Sequence, residues 1–88
     1  MSNLQAQFEA AVANSKNLSE RPDNSTLLKI YGLYKQATVG ECNVPCPGYF
    51  DFVGNAKWKA WNNEKGKSFE QSIGEYIALV DDLFAKYG

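Results

Sequence analysis

The spacing of apolar residues along the chain predicts four amphipathic helices. Between residues 3 and 16, apolar side chains recur at steps of four, three and one, which places them on one face of a helix. A second helix is predicted over residues 26–38, where Gly40 follows as a typical C-terminal stop. A third, over residues 53–65, carries Trp58 and Trp61 and ends at Gly66. We expect both indoles to be mostly buried, because so short a helix needs tertiary contacts.

The fourth predicted helix has the most regular pattern. Ser68 and Gln71 have the spacing of a capping box at its start. The apolar positions that follow are Phe69, Ile73, Tyr76, Ile77, Val80, Phe84 and Tyr87. Since no alternating strand pattern occurs, the sequence predicts an all-α four-helix bundle. Residues 1–88 are expected to form one domain, because 88 residues are too few for two cores.

A Pro-rich segment, residues 40–52, connects the second and third predicted helices. It is long for so small a domain, so we expect it to be packed or functional. It also holds Cys42 and Cys46, the only two cysteines of the chain. Two cysteines are too few for a four-thiolate metal site or a disulfide scaffold, so free thiols are expected, with a disulfide as the alternative.

Composition and charge exclude several classes of function. The chain is 44% hydrophobic, with 22% charged residues and many aromatics, so it should fold. A net charge of −1 provides no overall field that would attract nucleic acid or an anionic membrane, so any anion site must be local. The absence of histidine removes Ser-His and Cys-His catalysis and every zinc site that needs imidazole. Residues 1–13 lack the basic and apolar regions of a signal peptide, and no apolar run is long enough to span a membrane, so a cytoplasmic protein is expected.

The candidate chemistry lies on the second predicted helix. Tyr31, Tyr34 and Lys35 share one face, because successive residues of a helix are rotated by about 100°. One interpretation is structural: amphipathic tyrosines beside a solvated lysine. The other is a phosphate and base site, favoured by a second basic cluster that Glu64 alone interrupts. That cluster consists of Lys57, Lys59, Lys65 and Lys67. If the third helix packs beside the second, Lys35 and Lys57 would reach one phosphate while a tyrosine ring stacks on a purine.

Several segments together resemble the acyl-CoA-binding proteins. They are Tyr-Gly-Leu-Tyr-Lys-Gln-Ala-Thr-Val-Gly at 31–40, Pro-Gly at 47–48, Ala-Lys-Trp-Lys-Ala-Trp at 56–61, Tyr-Ile at 76–77 and Ala-Lys-Tyr-Gly at 85–88. The resemblance implies an up-down-down-up bundle in which residues 40–52 form an overhand link. It also implies a non-enzymatic carrier, without a cofactor, that binds medium- to long-chain fatty acyl-CoA, buffers the pool and delivers it to lipid metabolism.

The resemblance further implies which residues bind the head group of the ligand. Tyr31, Lys35 and Lys57 match the residues that hold the ribose 3′-phosphate of CoA in that family. Tyr34 matches the residue on which the adenine stacks. Lys16 matches a basic contact to the head group.

Two further matches concern the rest of the ligand, and one segment departs from the family pattern. Tyr76 matches a contact on the ribose or acyl side, and Leu28 a position near the acyl chain. Many relatives carry lysines where this chain has Val53 and Asn55, so that of three lysines only Lys57 remains. We therefore expect binding that is less sensitive to salt than in a lysine-rich relative, with apolar contact from Val53.

Two alternatives to a carrier stay open at this point. A helical protein-interaction module would use its aromatic residues against a partner and bind no CoA ligand. A small acyl-CoA-processing enzyme would need a base or nucleophile, which the sequence does not offer. For the carrier we expect a monomer that makes transient contact with acyl-CoA-using enzymes, without nucleic acid or stable membrane insertion.

Overall fold

The computed structural model describes residues 3–87, with side chains as far as residue 86. The sequence assignments for residues 1, 2 and 88, and for the side chain of Tyr87, lie outside this described part. Within it the chain forms four helices and no strand. They are α1 (Asn3–Ser15), α2 (Asn24–Thr38), α3 (Phe52–Asn62) and α4 (Phe69–Tyr87). The prediction of an all-α bundle is confirmed.

Helices α2, α3 and α4 begin where short polar side chains cap them. Asp23 accepts a hydrogen bond from the backbone N–H of Thr26 at 2.8 Å, which starts α2 two residues before its predicted first turn. Asp51 caps α3 in the same way, accepting from the N–H of Gly54 at 2.9 Å. The Ser68 hydroxyl accepts from the N–H of Gln71 at 3.0 Å, as the capping-box spacing predicted.

The predicted end of α3 at residue 65 was wrong by three residues. The helix ends at Asn62, and residues 63–66 form turns. The N–H groups of Glu64 and Lys65 donate to carbonyls three residues back, as in a tight 3₁₀-like turn. Gly66 then adopts a φ of 92°, a left-handed conformation that suits glycine.

Neighbouring side chains establish the directions of the helices. Leu28 and Ala56 line one cavity near the starts of α2 and α3, while Trp61 bonds Gly40 near their ends, so these two helices run parallel. The Gln36 amide, late in α2, donates to the carbonyl of residue 67 just before α4, so α2 and α4 are antiparallel.

The first helix completes the up-down-down-up order. The ring of Phe8, in the middle of α1, lies 6.1 Å from that of Tyr34 in the second half of α2. Lys16, which directly follows the C-terminal end of α1, lines one cavity with Leu27 in the first half of α2. The two helices are therefore antiparallel, and residues 40–52 return along the length of the bundle as the overhand link.

The hydrophobic core lies where α1, α2 and α4 meet. It is formed by Phe8, Ala11, Leu33, Ala37, Ile73, Tyr76 and Val80. Among the described helices, α3 packs against α2 alone. The core thus consists of three helices, and α3 is attached to its side.

Gly32 explains how α2 and α3 approach so closely. A Cβ built there would lie 2.3 Å from the carbonyl oxygen of Ala60. An interior helix glycine costs about 1 kcal/mol relative to alanine. Here the missing side chain leaves room for the backbone of the neighbouring helix.

The two tryptophans fix the link to α3. Trp61 is buried, and its Nε1 donates to the carbonyl of Gly40 at 2.7 Å. The Nε1 of Trp58 donates to the carbonyl of Val44 at 2.8 Å. Trp58 itself is only half-buried, so the expectation of two mostly buried indoles holds for Trp61 alone. The indole of Trp58 bonds to the link at Val44, a residue that is itself 48% exposed.

Candidate ligand-binding site

Two adjoining cavities open beside α2 and together form the candidate site. The larger, of about 430 Å³, lies between α2 and the first half of α3. The smaller, of about 300 Å³, lies where α1, α2 and α4 approach one another. Leu27 and Tyr31 line both of them. Tyr31 therefore stands between an apolar and a more polar compartment.

The larger cavity has apolar walls and a cationic edge. Leu28 of α2 and Val53 of α3 face it from opposite sides. At its edge, the Lys57 Nζ lies 5.6 Å from the centroid of the Tyr31 ring, within the range of a cation–π interaction. A ligand with an apolar tail and an anionic head fits this combination.

The smaller cavity is lined by tyrosines and a lysine. Tyr34 is 40% exposed and presents an accessible ring, whose centroid lies 6.3 Å from that of Tyr76. The Tyr76 hydroxyl donates to the Ser15 Oγ at 3.3 Å, and Ser15 in turn donates to the carbonyl of Val12 at 2.7 Å. Lys16 completes the rim. An aromatic surface beside a cation suits a stacked base.

Tyr76 is a buried phenol. Its burial raises the pKa of the hydroxyl above the ordinary value, and the hydrogen bond to Ser15 opposes that shift. The group therefore stays protonated over the physiological range. It offers a ring and a neutral hydroxyl to a ligand, and no base for catalysis.

The structure brings six of the seven sequence-predicted residues to the walls of these cavities. The six are Lys16, Leu28, Tyr31, Tyr34, Lys57 and Tyr76. Lys35 is placed differently, because its Nζ lies 4.8 Å from the centroid of the Trp61 ring. It is held over an indole of α3 and lines neither cavity.

Sequence reasoning did not select six of the nine residues that line the larger cavity as site residues, although it expected apolar contact from one of them, Val53. The six are Arg21, Asn24, Leu27, Phe52, Val53 and Ala56. Arg21 lies at its edge, with Nη1 3.4 Å from the Asn24 Oδ1, and Phe52 faces it from the start of α3. The apolar spacing placed Leu27, Leu28 and Tyr31 on one face of α2, and an extension of that face by one turn reaches Asn24. Arg21 and Phe52 lie outside the predicted helices, so helical periodicity could not identify them.

The predicted basic cluster is only partly available for binding. Glu64 does more than interrupt it, since its side chain is 2% exposed and bonds two lysines. Its carboxylate oxygens lie 2.8 Å from the Lys29 Nζ and 2.5 Å from the Lys67 Nζ. Lys67 also pairs with Glu75 at 2.6 Å, and this hydrogen bond lowers the pKa of the Glu75 carboxyl. The hydrogen bonds to Glu64 first, and to Glu75 second, raise the pKa of the Lys67 amine. Lys67 is therefore a structural residue.

Cys42 and Cys46 are free thiols, as the sequence predicted. The Cys46 thiol donates to the Asn55 Oδ1 at 2.9 Å, and the Asn55 amide donates to the carbonyls of Gly48 and Asp51 at 2.8 Å each. Asn55 thus holds the link against α3. Over residues 3–87, no group of acidic or sulfur side chains has the arrangement of a metal site.

Comparison with known proteins assigns the family. The profile of the family described as "Acyl CoA binding protein" matches residues 5–80. An acyl-CoA-binding protein homolog of Drosophila melanogaster is 48% identical over 81 residues, covering 92% of this chain and 94% of the relative. Acyl-CoA-binding protein homolog 1 of Caenorhabditis elegans is 47% identical, with the same coverage of 92% and 94%.

Solved structures agree with this assignment. The crystal structure of Oryza sativa acyl-CoA-binding protein 2 superposes with a TM-score of 0.92 at 39% identity, covering 96% of this chain and 93% of that one. The solution structure of the yeast acyl coenzyme A binding protein gives a TM-score of 0.72 at 49% identity, covering 91% and 93%. With the matched profile, the identity to these relatives and the shared bundle, the chain belongs to the acyl-CoA-binding protein family.

Proposed function

We propose that the protein is a non-enzymatic carrier that binds medium- to long-chain fatty acyl-CoA in the cytoplasm and needs no cofactor. It buffers the acyl-CoA pool and delivers its ligand, as a monomer, through transient contact with the enzymes that use it. The observation that carries the proposal is the junction at Tyr31, where an apolar cavity meets a second one lined by tyrosines and a lysine. Acyl-CoA has the same division into an apolar chain and a charged head.

The 3′-phosphate is held by Lys57, Tyr31 and Lys35 in this proposal. The Lys57 amine already lies over the Tyr31 ring, close to the phenol that would donate to the same phosphate. Lys35 has to turn from the Trp61 ring to join them. Each charge-assisted hydrogen bond contributes about 1.5 to 3 kcal/mol, so the loss of one lysine lowers affinity roughly tenfold or more.

The adenine stacks on the exposed ring of Tyr34, beside Tyr76. Base stacking on an aromatic side chain contributes about 1 to 3 kcal/mol. Lys16, on the rim of the same cavity, faces the charged part of the head group. The smaller cavity thereby recognises CoA through ring and charge.

The acyl chain occupies the larger cavity between Leu28 and Val53. Burial of each methylene contributes about 0.8 kcal/mol, so affinity rises with chain length until the apolar walls are covered. The residues at the site support binding and transport of the ligand without catalysis. The sequence has no histidine, and burial raises the pKa of the Tyr76 hydroxyl above its ordinary value, so that it cannot serve as a base at neutral pH.

Calorimetric titration tests the proposal. Palmitoyl-CoA, its 3′-dephospho analogue and free palmitate are titrated into the wild type and into Lys57→Ala. We expect tight binding of palmitoyl-CoA and no binding of free palmitate. Removal of the phosphate or of the lysine should lower the affinity about tenfold or more. Lys65→Ala is the matched control, because Lys65 is an exposed lysine in the turn after α3 and lines neither cavity.

Three outcomes would contradict the proposal. Equal affinity for palmitate would indicate a general fatty-acid carrier without head-group recognition. An equal loss in Lys57→Ala and Lys65→Ala would mean that Lys57 acts only through net charge. Absence of any binding would favour the protein-interaction module.

A further inference from the structure

A group of large apolar side chains is exposed where the overhand link enters α3. Tyr49, Phe50, Phe52 and Val53 have 85%, 81%, 75% and 68% of their surface exposed. We refer to these four residues as the aromatic rim. Single exposed apolar residues are common on protein surfaces, but a contiguous group marks an interaction surface.

The four side chains form one continuous surface. The rings of Tyr49 and Phe50 are in edge contact, with centroids 5.1 Å apart. Tyr49 and Phe52 line a common cavity, and Phe52 joins Val53 on the wall of the larger ligand cavity. The aromatic rim therefore extends from the link to the mouth of that cavity.

The backbone beneath the rim is held in place. The Asn55 amide donates to the carbonyls of Gly48 and Asp51, on either side of Tyr49 and Phe50. The Asp51 carboxylate caps α3 through the N–H of Gly54. The rings are thus presented to the exterior by an ordered segment.

Cations outnumber carboxylates beside the rim. Arg21 and Lys57 line the larger cavity next to Phe52, and Lys59 lines the cavity next to Tyr49. None of the residues that line these two cavities is acidic. The one carboxylate within the rim segment, that of Asp51, caps α3 through its Oδ1 and leaves a single negative charge against these three cations.

We propose that the aromatic rim docks reversibly on the interface of a bilayer that contains anionic phospholipid. Aromatic side chains are favoured at the boundary between headgroups and acyl chains, and nearby cations attract an anionic surface. A specific complex with a protein or a second copy uses about 20 to 30 residues on each side. Four side chains are too few for that, whereas shallow insertion needs only a small apolar tip flanked by cations.

Docking in this orientation turns the mouth of the larger cavity toward the lipid, because Phe52 and Val53 belong to both surfaces. The docking itself does not depend on the bound ligand. Only the passage of an acyl chain between bilayer and cavity rests on the proposed function. The two proposals can therefore fail separately.

Vesicle flotation with the ligand-free protein tests the docking. The wild type should float with vesicles of equal parts phosphatidylcholine and phosphatidylserine. With vesicles of phosphatidylcholine alone, the amount of protein that floats should fall at least about tenfold. Added salt should weaken the interaction, because the cations act through a screened surface potential. Tyr49→Ser/Phe50→Ser should reduce binding about tenfold.

A matched variant controls for the general loss of exposed apolar surface. Val39→Ser/Phe69→Ser removes two side chains that are 47% and 54% exposed and line a different cavity. It should bind vesicles like the wild type. Circular dichroism melting confirms that both double variants are folded.

Four results would overturn the docking proposal. They are no flotation of the wild type, unchanged flotation of Tyr49→Ser/Phe50→Ser, an equal loss in the control variant, or self-association that the rim variant abolishes in sedimentation. Measurement of the palmitoyl-CoA affinity in vesicle-free buffer distinguishes a failure of the docking proposal from a failure of the proposed carrier function. Tyr49 and Phe50 line neither ligand cavity, so their variant should keep that affinity. Flotation without palmitoyl-CoA binding would reject the carrier and keep the docking.

Discussion

The contact between α2 and α3 can be tested with a single methyl group. In Gly32→Ala the new Cβ would lie 2.3 Å from the Ala60 carbonyl oxygen and 2.8 Å from its carbon. Both atoms belong to backbone, so a side-chain rotation cannot relieve the overlap. An ordinary contact requires that α3 move outward by about 1 Å, since carbon atoms pack at about 3.5 Å or more. Overpacking of this kind costs about 1 to 3 kcal/mol.

The helix propensity of alanine opposes this cost by about 1 kcal/mol. We therefore expect Gly32→Ala to lose up to about 2 kcal/mol of unfolding free energy, with a corresponding fall in Tm. Gly74→Ala is the matched control, because Gly74 lies inside α4 and nothing is within 4 Å of a Cβ built there. That variant should gain about 0.5 to 1 kcal/mol.

Urea unfolding of the two alanine variants, together with palmitoyl-CoA titration, gives the decisive comparison. The displacement of α3 should also lower the affinity for palmitoyl-CoA, because it moves Lys57 away from Tyr31. Gly74→Ala leaves both residues in place and should keep the affinity. If Gly32→Ala is as stable as Gly74→Ala, the close approach of the two helix backbones is not a constraint, and the reasoning is refuted.

Two further predictions concern the acidic residues that pair with lysines. Glu64→Gln should destabilise the fold by about 1 to 3 kcal/mol in urea unfolding, because Lys29 and Lys67 lose a buried partner; a change within error would show that the carboxylate charge is dispensable. The pKa of Glu75 is lowered from 4.5 by hydrogen bonds from Lys67 and Gln71. The stabilisation from Glu75 is therefore complete above pH 4.5 and is lost as the pH falls from there through the lowered pKa. Acid titration of Tm should be flatter in this range for Glu75→Gln, and a profile identical to the wild type would contradict the assignment.

The sequence predicted what depends on local periodicity, and missed what depends on how helices meet. The apolar repeats of α1, α2 and α4 identified the three helices that form the core. The end of α3 was misplaced because the chain leaves the helix after Asn62 in tight turns that bury Glu64, and the spacing of hydrophobic residues does not report a buried carboxylate.

For the candidate site, too, the sequence predicted what a single helix determines and missed what depends on the contact between helices. Tyr31 and Tyr34 share a helix face, so their proximity follows from the helix alone. The position of Lys57 over Tyr31 depends on the parallel register of α2 and α3, which the resemblance implied and the structure displays. The direction of Lys35 was not predictable, because the indole that attracts it belongs to another helix.

Among the described helices, α3 packs against α2 and against no other. The amide hydrogens of α3 should therefore exchange with deuterium sooner than those of the three core helices, since a peripheral element can open without global unfolding. A molecule that touches both Leu28 and Val53 closes that opening by bridging the two helices. Slower exchange throughout α3 would then show that a ligand occupies the cavity. The helix that opens most easily in the free protein would be the one that the ligand stabilises most.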